Sequence, residues 1–410
     1  MKTEIQNLLV FGDSLTDRGT MAKSALVAFS GLIGHSPHGR FTNGYVWLDY
    51  FIQHLATNKP AALIMPITPQ KKGFFSVNTD EYVGTKTSPI FARTYCEGGL
   101  TAYDYSHEIR PGKFFLNMTA QALKTLHRMR REALRDDQFM NFEEKEKKNT
   151  LVIEWSGAND LITINNTPTK HAAERAVTAR MEHVNAMMQQ GYCHFVLFNL
   201  PDLSLTPRYQ NGNADLRELA HASVLHFNQR LSDEITKLQH RYLGSTYTFS
   251  LFDANQLFVE AYENPEHFNL DQDKKHTPFL HSSAFKDDDP KTTADGYMFW
   301  DEVHPTEAVH VHLANAFHEQ IFSKNYMFSM TEQPLVRQFQ LAYGMVWEDE
   351  KERVYGCFRR SRIKYLAPEI TLDDIMQHGL FERGYRTKRV IQSLGWLEQD
   401  PSDCLPAPHG

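Results

Sequence analysis

The sequence predicts an α/β protein with a mostly parallel sheet, because short buried strands alternate with long helices. The strand candidates are short runs rich in β-branched and aromatic residues, at 5–11, 151–155, 195–199 and 247–252. The helix candidates are longer amphipathic or helix-forming stretches, at 120–135, 170–190 and 214–239. Helices of this length allow crossover connections between parallel strands, which would be covered on both faces. Functional sites in such sheets form at the carboxyl ends of the strands.

The alternation of strands and helices covers residues 1–327, which we interpret as one domain. Residues 328–410 differ from this region in their residue pattern, and we predict that they form a small C-terminal extension of unknown role. Two polar stretches break the pattern inside the domain. Residues 136–149 are rich in charge and predict an exposed linker, and residues 266–295 predict a long surface loop.

Composition narrows the class of protein. The net charge of −7 argues against a nucleic-acid-binding protein, which usually carries a basic excess. The four cysteines have no metal-ligand spacing, so free thiols are the simplest interpretation, and a long-range disulfide is the alternative. We expect no metal or other cofactor. The first residues do not form a secretory signal, and no run approaches the roughly 20 apolar residues of a spanning helix. We therefore expect a cytoplasmic protein, or one exported by a route that needs no N-terminal signal peptide.

The segment LLVFGDSLTD places Ser14 directly after the first predicted strand and before a predicted helix. The free amides and the dipole at a helix N-terminus favour negative charge that develops there. A serine at this place is also a common helix cap, so the segment alone leaves both interpretations open.

A general base for such a serine lies in the segment YMFWDEVHPTEAVH. His304 follows Asp301 by three residues, and positions i and i+3 share a face in one helical turn or tight loop. Asp301 can then hold the ring at Nδ1 and leave Nε2 free to take a proton from Ser14. Taken alone, this spacing also fits an ordinary Asp and His in a surface loop.

Acyl transfer also requires hydrogen-bond donors for a tetrahedral oxyanion. Gly99, in TYCEGGLTAYD, and Asn159, in EWSGANDL, are candidates, with the Ser14 backbone N–H as a third donor. Gly98 is an alternative to Gly99. Both segments also have the chemistry of ordinary turns.

The segments FGDSLTD, EGGLTA, GAND and DEVHP, in this order, resemble the conserved blocks of the GDSL, or SGNH, hydrolases. The resemblance implies a three-layer α/β/α fold of the flavodoxin-like kind. It also implies a serine carboxylic-ester hydrolase with Ser14 as nucleophile, His304 as base and Asp301 as its orienting partner. Gly99 and Asn159 would then belong to the oxyanion hole.

Two further segments resemble one branch of this family. GRFTNGYVWLDYF at 39–51 and FNLPDLSLTP at 198–207 are similar to elements of the bacterial phospholipase, lysophospholipase and glycerophospholipid:cholesterol acyltransferase branch. The branch implies hydrolysis of lipid acyl esters, with lysophospholipids or phospholipids as substrates. The alternatives are acyl transfer to an alcohol such as a sterol, a short-chain or carbohydrate O-acetyl esterase, and a non-catalytic lipid-binding module. The chain departs from the branch at Thr94, Cys96 and Ser204.

The predicted partner is thus a lipid ester, either free or at a membrane surface, and the oligomeric state stays open. Apolar residues that follow the nucleophile segment predict an acyl channel or plain core: Met21, Leu26, Val27, Phe29, Leu32 and Ile33. A basic and aromatic cluster in the extension predicts either a site for anionic lipid or a solvated face: Arg359, Arg360, Arg362, Lys364, Tyr355, Phe358 and Tyr365.

Overall fold

The structure is a computed structural model that describes residues 2–21, 39–57, 74–76, 82–85, 89–108, 124–139, 142–164, 167–286 and 294–329. The chain divides into two compact units. The first comprises Met1–Thr68 and Ala92–Ser329, and the second comprises Pro69–Phe91 and Met330–Gly410. The predicted extension and most of the predicted acyl-channel residues lie outside the described residues, so their interpretation stays a prediction.

The strands of the described residues are β1 (Thr3–Ile5), β2 (Asn7–Gly12), β3 (Phe74–Ser76), β4 (Tyr82–Thr85), β5 (Pro89–Cys96), β6 (Thr150–Trp155), β7 (His194–Phe198), β8 (Thr248–Phe252) and β9 (Tyr326–Phe328). In the first unit, the central sheet has the order β5-β2-β6-β7-β8. The pairs β2–β6, β6–β7 and β7–β8 are all parallel, as the crossover helices require. In the second unit, β3 pairs antiparallel with β4, and β4 pairs antiparallel with the start of β5.

The α-helices of the described residues are α1 (Trp47–Thr57), α2 (Leu126–Phe139), α3 (Glu144–Lys148), α4 (Ala158–Ile162), α5 (Lys170–Gln189), α6 (Pro207–Gln210), α7 (Ala214–Arg241), α8 (Ala254–Glu263), α9 (Glu307–Phe317) and α10 (Ser323–Asn325). Helix α5 packs against α2 and α7, and α1 packs against α9. Two consecutive residues of β6 show that these groups lie on opposite faces of the sheet. Glu154 pairs with Arg180 of α5, whereas the Trp155 ring meets Trp47 of α1. The helices and the sheet therefore form three layers, α/β/α.

The sequence predicts the elements well where they are long or fully buried. The helices predicted at 170–190 and 214–239 are confirmed as α5 and α7, and the strands predicted from residues 151, 195 and 247 begin within one residue of β6, β7 and β8. The strand predicted at 5–11 is wrong in one respect. Ile5 ends the separate strand β1, which pairs with β9, and the chain resumes pairing in the central sheet only at Asn7.

The exposed linker predicted at 136–149 is confirmed in part: residues 143–148 are exposed or partly exposed, but the segment is helical and its first part is not exposed at Asp137. Residues 136–139 complete α2, and Glu144–Lys148 form α3. Asp137 is buried and pairs with Arg93 of β5 at 2.7 Å, and it also accepts a hydrogen bond from Tyr192. A carboxylate that pairs with a buried arginine and a tyrosine hydroxyl can be buried away from water. Charge composition alone does not reveal such partners.

Cys96 and Cys193 are buried free thiols, as predicted. In the part of the chain that the structure describes, no helix is long and apolar enough to cross a membrane. The expected cellular location stays a prediction.

Candidate active site

The nucleophile turn, residues 13–17, follows β2 at the carboxyl end of the central sheet. Ser14 is 7% exposed there, in a turn whose amides are largely engaged. The Asp13 backbone N–H donates to the Trp155 carbonyl of β6, and the Thr16 N–H donates back to the Asp13 carbonyl. These backbone hydrogen bonds hold the turn at the carboxyl end of the sheet. The backbone position from which the Ser14 side chain extends is therefore fixed.

The base loop, residues 300–306, brings His304 to this serine. His304 Nε2 lies 2.8 Å from Ser14 Oγ, although the two residues are 290 positions apart in sequence. His304 Nδ1 lies 2.7 Å from Asp301 Oδ2. The other oxygen of Asp301 accepts the backbone N–H groups of Val303 and His304, each at 2.8 Å. The structure thus joins all three predicted residues in one hydrogen-bonded chain.

The local fold of the base loop explains the Asp-x-x-His spacing. The Trp300 N–H donates to the His304 carbonyl at 2.8 Å, which closes a tight loop around the two side chains. Asp side chains often accept N–H groups two and three residues later in such turns. The Phe41 ring lies against the His304 ring at a centroid distance of 5.1 Å and limits its rotation.

The interaction between His304 and Asp301 shifts the pKa values of both side chains in the direction that acid–base catalysis requires. Burial alone lowers the pKa of His304, but attraction to Asp301, its hydrogen bond and the charge of Asp13 outweigh burial and raise the pKa above 6.5. Burial alone raises the pKa of Asp301, but the His304 charge and hydrogen bonds outweigh it and lower the pKa. An ionised Asp301 beside His304 stabilises the imidazolium that forms when the ring accepts a proton.

The segment TYCEGGLTAYD contains a tight turn at residues 97–100, which we call the glycine turn and which includes Gly99. The Leu100 N–H donates to the Glu97 carbonyl at 3.0 Å, and Gly99, at the third position of this turn, has φ of 78°. That conformation favours glycine. The Gly98 N–H is already donated to Asp17 Oδ2 at 2.9 Å. Gly99 is thus the better candidate donor of the two.

Asn159 lies at the start of α4, directly after β6, and faces both neighbouring segments. Its side-chain amide donates to the Leu100 carbonyl at 3.1 Å and approaches Asp13 Oδ2 at 3.5 Å. The second separation is at the outer limit of a hydrogen bond, so one amide hydrogen is held only weakly. The structure therefore places Asn159 between the nucleophile turn and the glycine turn.

Three buried carboxylates support these turns and were not singled out by the sequence. Asp17 accepts four backbone N–H groups, those of Gly98, Gly19, Thr20 and Met21. Asp160 accepts the N–H groups of Ala102 and Tyr103, just beyond the glycine turn. Asp13 accepts the Leu15 N–H, and burial raises its pKa to about 7. Their positions inside the motifs are the only sequence signal for these roles.

Comparison with known proteins decides the family. The model of the GDSL-like lipase/acylhydrolase family matches residues 8–317. The chain belongs to this GDSL family. It is accordingly a serine carboxylic-ester hydrolase with the three-layer α/β/α fold of the family, as the sequence predicts.

This GDSL hydrolase is similar to several bacterial proteins. It is 27% identical to a phosphatidylcholine-sterol acyltransferase of Aeromonas hydrophila, over 75% of this chain and 87% of that protein. It is 24% identical to the secreted effector protein SseJ of Salmonella typhimurium, and 22% identical to a thermolabile hemolysin of Vibrio parahaemolyticus. These matches cover 75% and 76% of this chain but only 61% and 62% of the two relatives.

Proposed function

We propose that this protein hydrolyses acyl esters of lipids by covalent catalysis at Ser14, with lysophospholipids or phospholipids as its substrates. The observation that carries the proposal is the hydrogen-bonded chain from Ser14 Oγ through His304 to Asp301. A serine hydroxyl is a weak nucleophile at neutral pH, and a neighbouring imidazole held in one tautomer activates it.

The reaction runs in two displacements. His304 Nε2 takes the proton of Ser14 as Oγ bonds to the acyl carbonyl carbon. The tetrahedral intermediate collapses, the bond to the leaving alcohol breaks, and His304 gives that alcohol its proton. Water then attacks the acyl-serine with the same base, which releases the fatty acid and restores Ser14. Asp301 holds the ring and stabilises its cationic form without taking the proton.

The oxyanion of each intermediate needs donors at the far side of the carbonyl. Gly99 and Asn159 are the proposed donors, together with the Ser14 backbone N–H. Support comes from the positive φ of Gly99, from the position of Asn159 beside the nucleophile turn, and from the engagement of the Gly98 N–H by Asp17. One such donor is typically worth about 3 kcal/mol of transition-state stabilisation.

The lipid substrate is supported by the name of one relative, a phosphatidylcholine-sterol acyltransferase, and by the two segments that resemble the phospholipase branch. Acyl transfer to an alcohol is the second candidate function, because one relative is named as a phosphatidylcholine-sterol acyltransferase. An alcohol can replace water in the second displacement without any change in the roles of Ser14 and His304. Which acceptor prevails then depends on what reaches the acyl-serine.

Fatty-acid release is the measurement that tests this proposal. The panel contains four substrates: phosphatidylcholine vesicles, lysophosphatidylcholine, a monoacylglycerol and short p-nitrophenyl esters. Each substrate is assayed with and without a sterol. Wild type is compared with Ser14→Ala on the same panel. Removal of a serine nucleophile typically lowers kcat by about six orders of magnitude.

Release from lysophosphatidylcholine that disappears in Ser14→Ala supports both the mechanism and the lipid assignment. Steryl ester formed at the expense of free fatty acid favours the transferase. Release from short esters alone retains the mechanism and removes the lipid substrate. Ester hydrolysis that persists in Ser14→Ala contradicts the role of the serine.

A further inference from the structure

The GRFTNGYVWLDYF segment contributes no group to the proposed reaction, yet its residues 40–50 contact both halves of the site. We call these residues the bracing segment. The site needs such a connection, because its nucleophile and its base are 290 positions apart in the sequence. The base loop is also only partly buried, at Asp301 and at His304.

The first contact of the bracing segment is with the residue that follows the base. Thr42 is fully buried, and its hydroxyl donates to the Pro305 carbonyl at 2.9 Å. The next residue, Asn43, accepts the Glu307 backbone N–H at 2.7 Å through its side-chain oxygen. These two bonds hold the chain on the C-terminal side of His304, where α9 begins.

The second contact is the Glu307 carboxylate, which points back into the bracing segment. Its Oε1 accepts the Tyr45 backbone N–H at 3.0 Å and also the Tyr50 hydroxyl. The backbone passes so close that a Cβ on Gly44 would collide with the Glu307 carboxyl group. Glycine at this position therefore permits the approach.

The third contact is with the nucleophile side. The Trp47 indole N–H donates to Thr16 Oγ1 at 3.2 Å, and the Trp47 backbone N–H donates to His310 Nδ1 of α9 at 3.2 Å. One residue therefore connects the nucleophile turn and the helix that follows the base. Arg18, just beyond the nucleophile turn, pairs with Asp49 of the bracing segment at 2.7 Å.

We propose that the bracing segment is a positioning element of the ester hydrolase, which sets the distance between Ser14 and His304. Thr42 of this segment and its partner Glu307 of α9 are the positioning residues. The inference rests on the proposed function. These residues act through the base loop and touch no reacting atom. A shift of about 1 Å between reacting groups can cost two orders of magnitude in rate, so the bonds that fix this distance matter for kcat.

The test compares threonine variants of nearly equal size. Thr42→Val removes the hydroxyl and keeps the volume, whereas Thr42→Ser keeps the hydroxyl. Thr150→Val is the matched control, because Thr150 is also fully buried and its hydroxyl also donates to a backbone carbonyl, that of Glu146. Thr150 lies at the first residue of β6, at the end of that strand away from the site.

The measured quantities are kcat and KM for a p-nitrophenyl ester in full-length protein, with the melting temperature of each variant. We expect Thr42→Val to lower kcat by about ten- to a hundred-fold with little change in KM. Thr42→Ser should restore most of kcat. Thr150→Val should lose a similar amount of thermal stability and keep the wild-type kcat.

A second pair of variants tests the carboxylate contact independently. Glu307→Gln keeps an oxygen that can accept from both Tyr45 and Tyr50, so its kcat should stay within about three-fold of wild type. Glu307→Ala removes the acceptor and should lower kcat about ten-fold, again with little change in KM.

Equal kcat values for Thr42→Val and Thr150→Val, in an enzyme whose activity is lost in Ser14→Ala, would overturn the inference and leave the proposed function in place. Activity that does not depend on Ser14 would instead overturn the proposed function itself. A rise in KM with unchanged kcat would also overturn the inference, because it would place the bracing segment in substrate binding.

Discussion

The nucleophile turn and the base loop are parts of one site, but they are held in different ways. The nucleophile turn continues a fully buried strand, and Asp13 and Asp17 within it are at most 2% exposed. The base loop is only partly buried at residues 301–304. Asp301 accepts N–H groups of its own loop, and the Leu280 and Arg208 backbone N–H groups donate to the Trp300 and Glu302 carbonyls. The position of the loop relative to Ser14 is set by Asp-x-x-His geometry and by bonds from a distant segment.

This difference predicts two kinds of variant. Changes in the base loop should alter the rate with little effect on stability, because few buried groups lose their partners. Changes among the buried carboxylates of the nucleophile turn should lower both rate and stability, since each leaves unpaired N–H groups in a place without water. The predictions below test this distinction, from the largest expected effect to the smallest.

Asp301→Asn should lower kcat by about four orders of magnitude with an almost unchanged melting temperature. The asparagine oxygen can still accept the N–H groups of Val303 and His304, so the loop persists. Its amide nitrogen then faces Nδ1 and favours the wrong tautomer of the ring. Ester hydrolysis and thermal melting are measured on the same preparations.

Glu302→Gln is the control for this variant, because Glu302 lies in the same loop and, within the described residues, its side chain pairs with the exposed His281 alone. We expect its kcat and melting temperature to match wild type. A large fall in melting temperature for Asp301→Asn would contradict the distinction, since the base loop would then contribute to stability as the nucleophile turn does.

Asp17→Asn should lower kcat about a hundred-fold and also destabilise the fold by about 2 kcal/mol. Each carboxylate oxygen of Asp17 accepts two backbone N–H groups, so either orientation of an amide sets its NH₂ against two donors. The loss of the Gly98 bond should release the turn that presents Gly99. Urea unfolding and kcat are the measurements.

Asp137→Asn separates the two effects of Asp17→Asn. Asp137 is also a buried carboxylate, but among the described residues its side chain pairs with Arg93, Tyr192 and Lys147, none of which lies in the glycine turn. It should lose stability alone. If both variants lose stability and neither loses kcat, then the link from Asp17 to the oxyanion donor is absent.

The rate should also depend on pH through His304. The ring acts as a base only when neutral, and its pKa is raised above 6.5, so the acid limb of kcat/KM should have its midpoint above pH 6.5. Asp13 has a raised pKa of about 7 and is therefore only partly ionised in this pH range, so Asp13→Asn should move the midpoint to lower pH by a small amount. A profile from pH 5 to 9 measures both midpoints.

Wild type at two salt concentrations is the control for the pH profile, because a buried charge is screened only weakly by salt. The midpoint should move little with salt and should move with Asp13→Asn. An unchanged midpoint in the variant would show that the charge on Asp13 does not act on the ring.

The sequence predicts the local parts of this molecule and misses the distant partners. The motif order identified Ser14, Asp301 and His304 as a set, and the structure brings them into hydrogen-bond contact. Local pattern could not show that Asp137 finds Arg93, 44 residues away, or that Thr42 reaches Pro305, 263 residues away. The charge of residues 136–149 predicted that Asp137 is exposed to solvent, whereas the burial of a polar side chain depends on partners that only the fold supplies.

The smallest effect is expected at the other end of the sheet, where the chain turns from α5 into β7. Gly191 has φ of 96°, and the space around it would accept a Cβ without a contact closer than 3.8 Å. Gly191→Ala should therefore cost only the backbone strain, about 1 kcal/mol in urea unfolding, with kcat unchanged. Gly191→Asn should cost less, because asparagine enters the left-handed region more readily than alanine. Equal losses for the two variants would mean that packing sets the cost, and a fall in kcat would mean that strain at this end of the sheet reaches Ser14 through the strands.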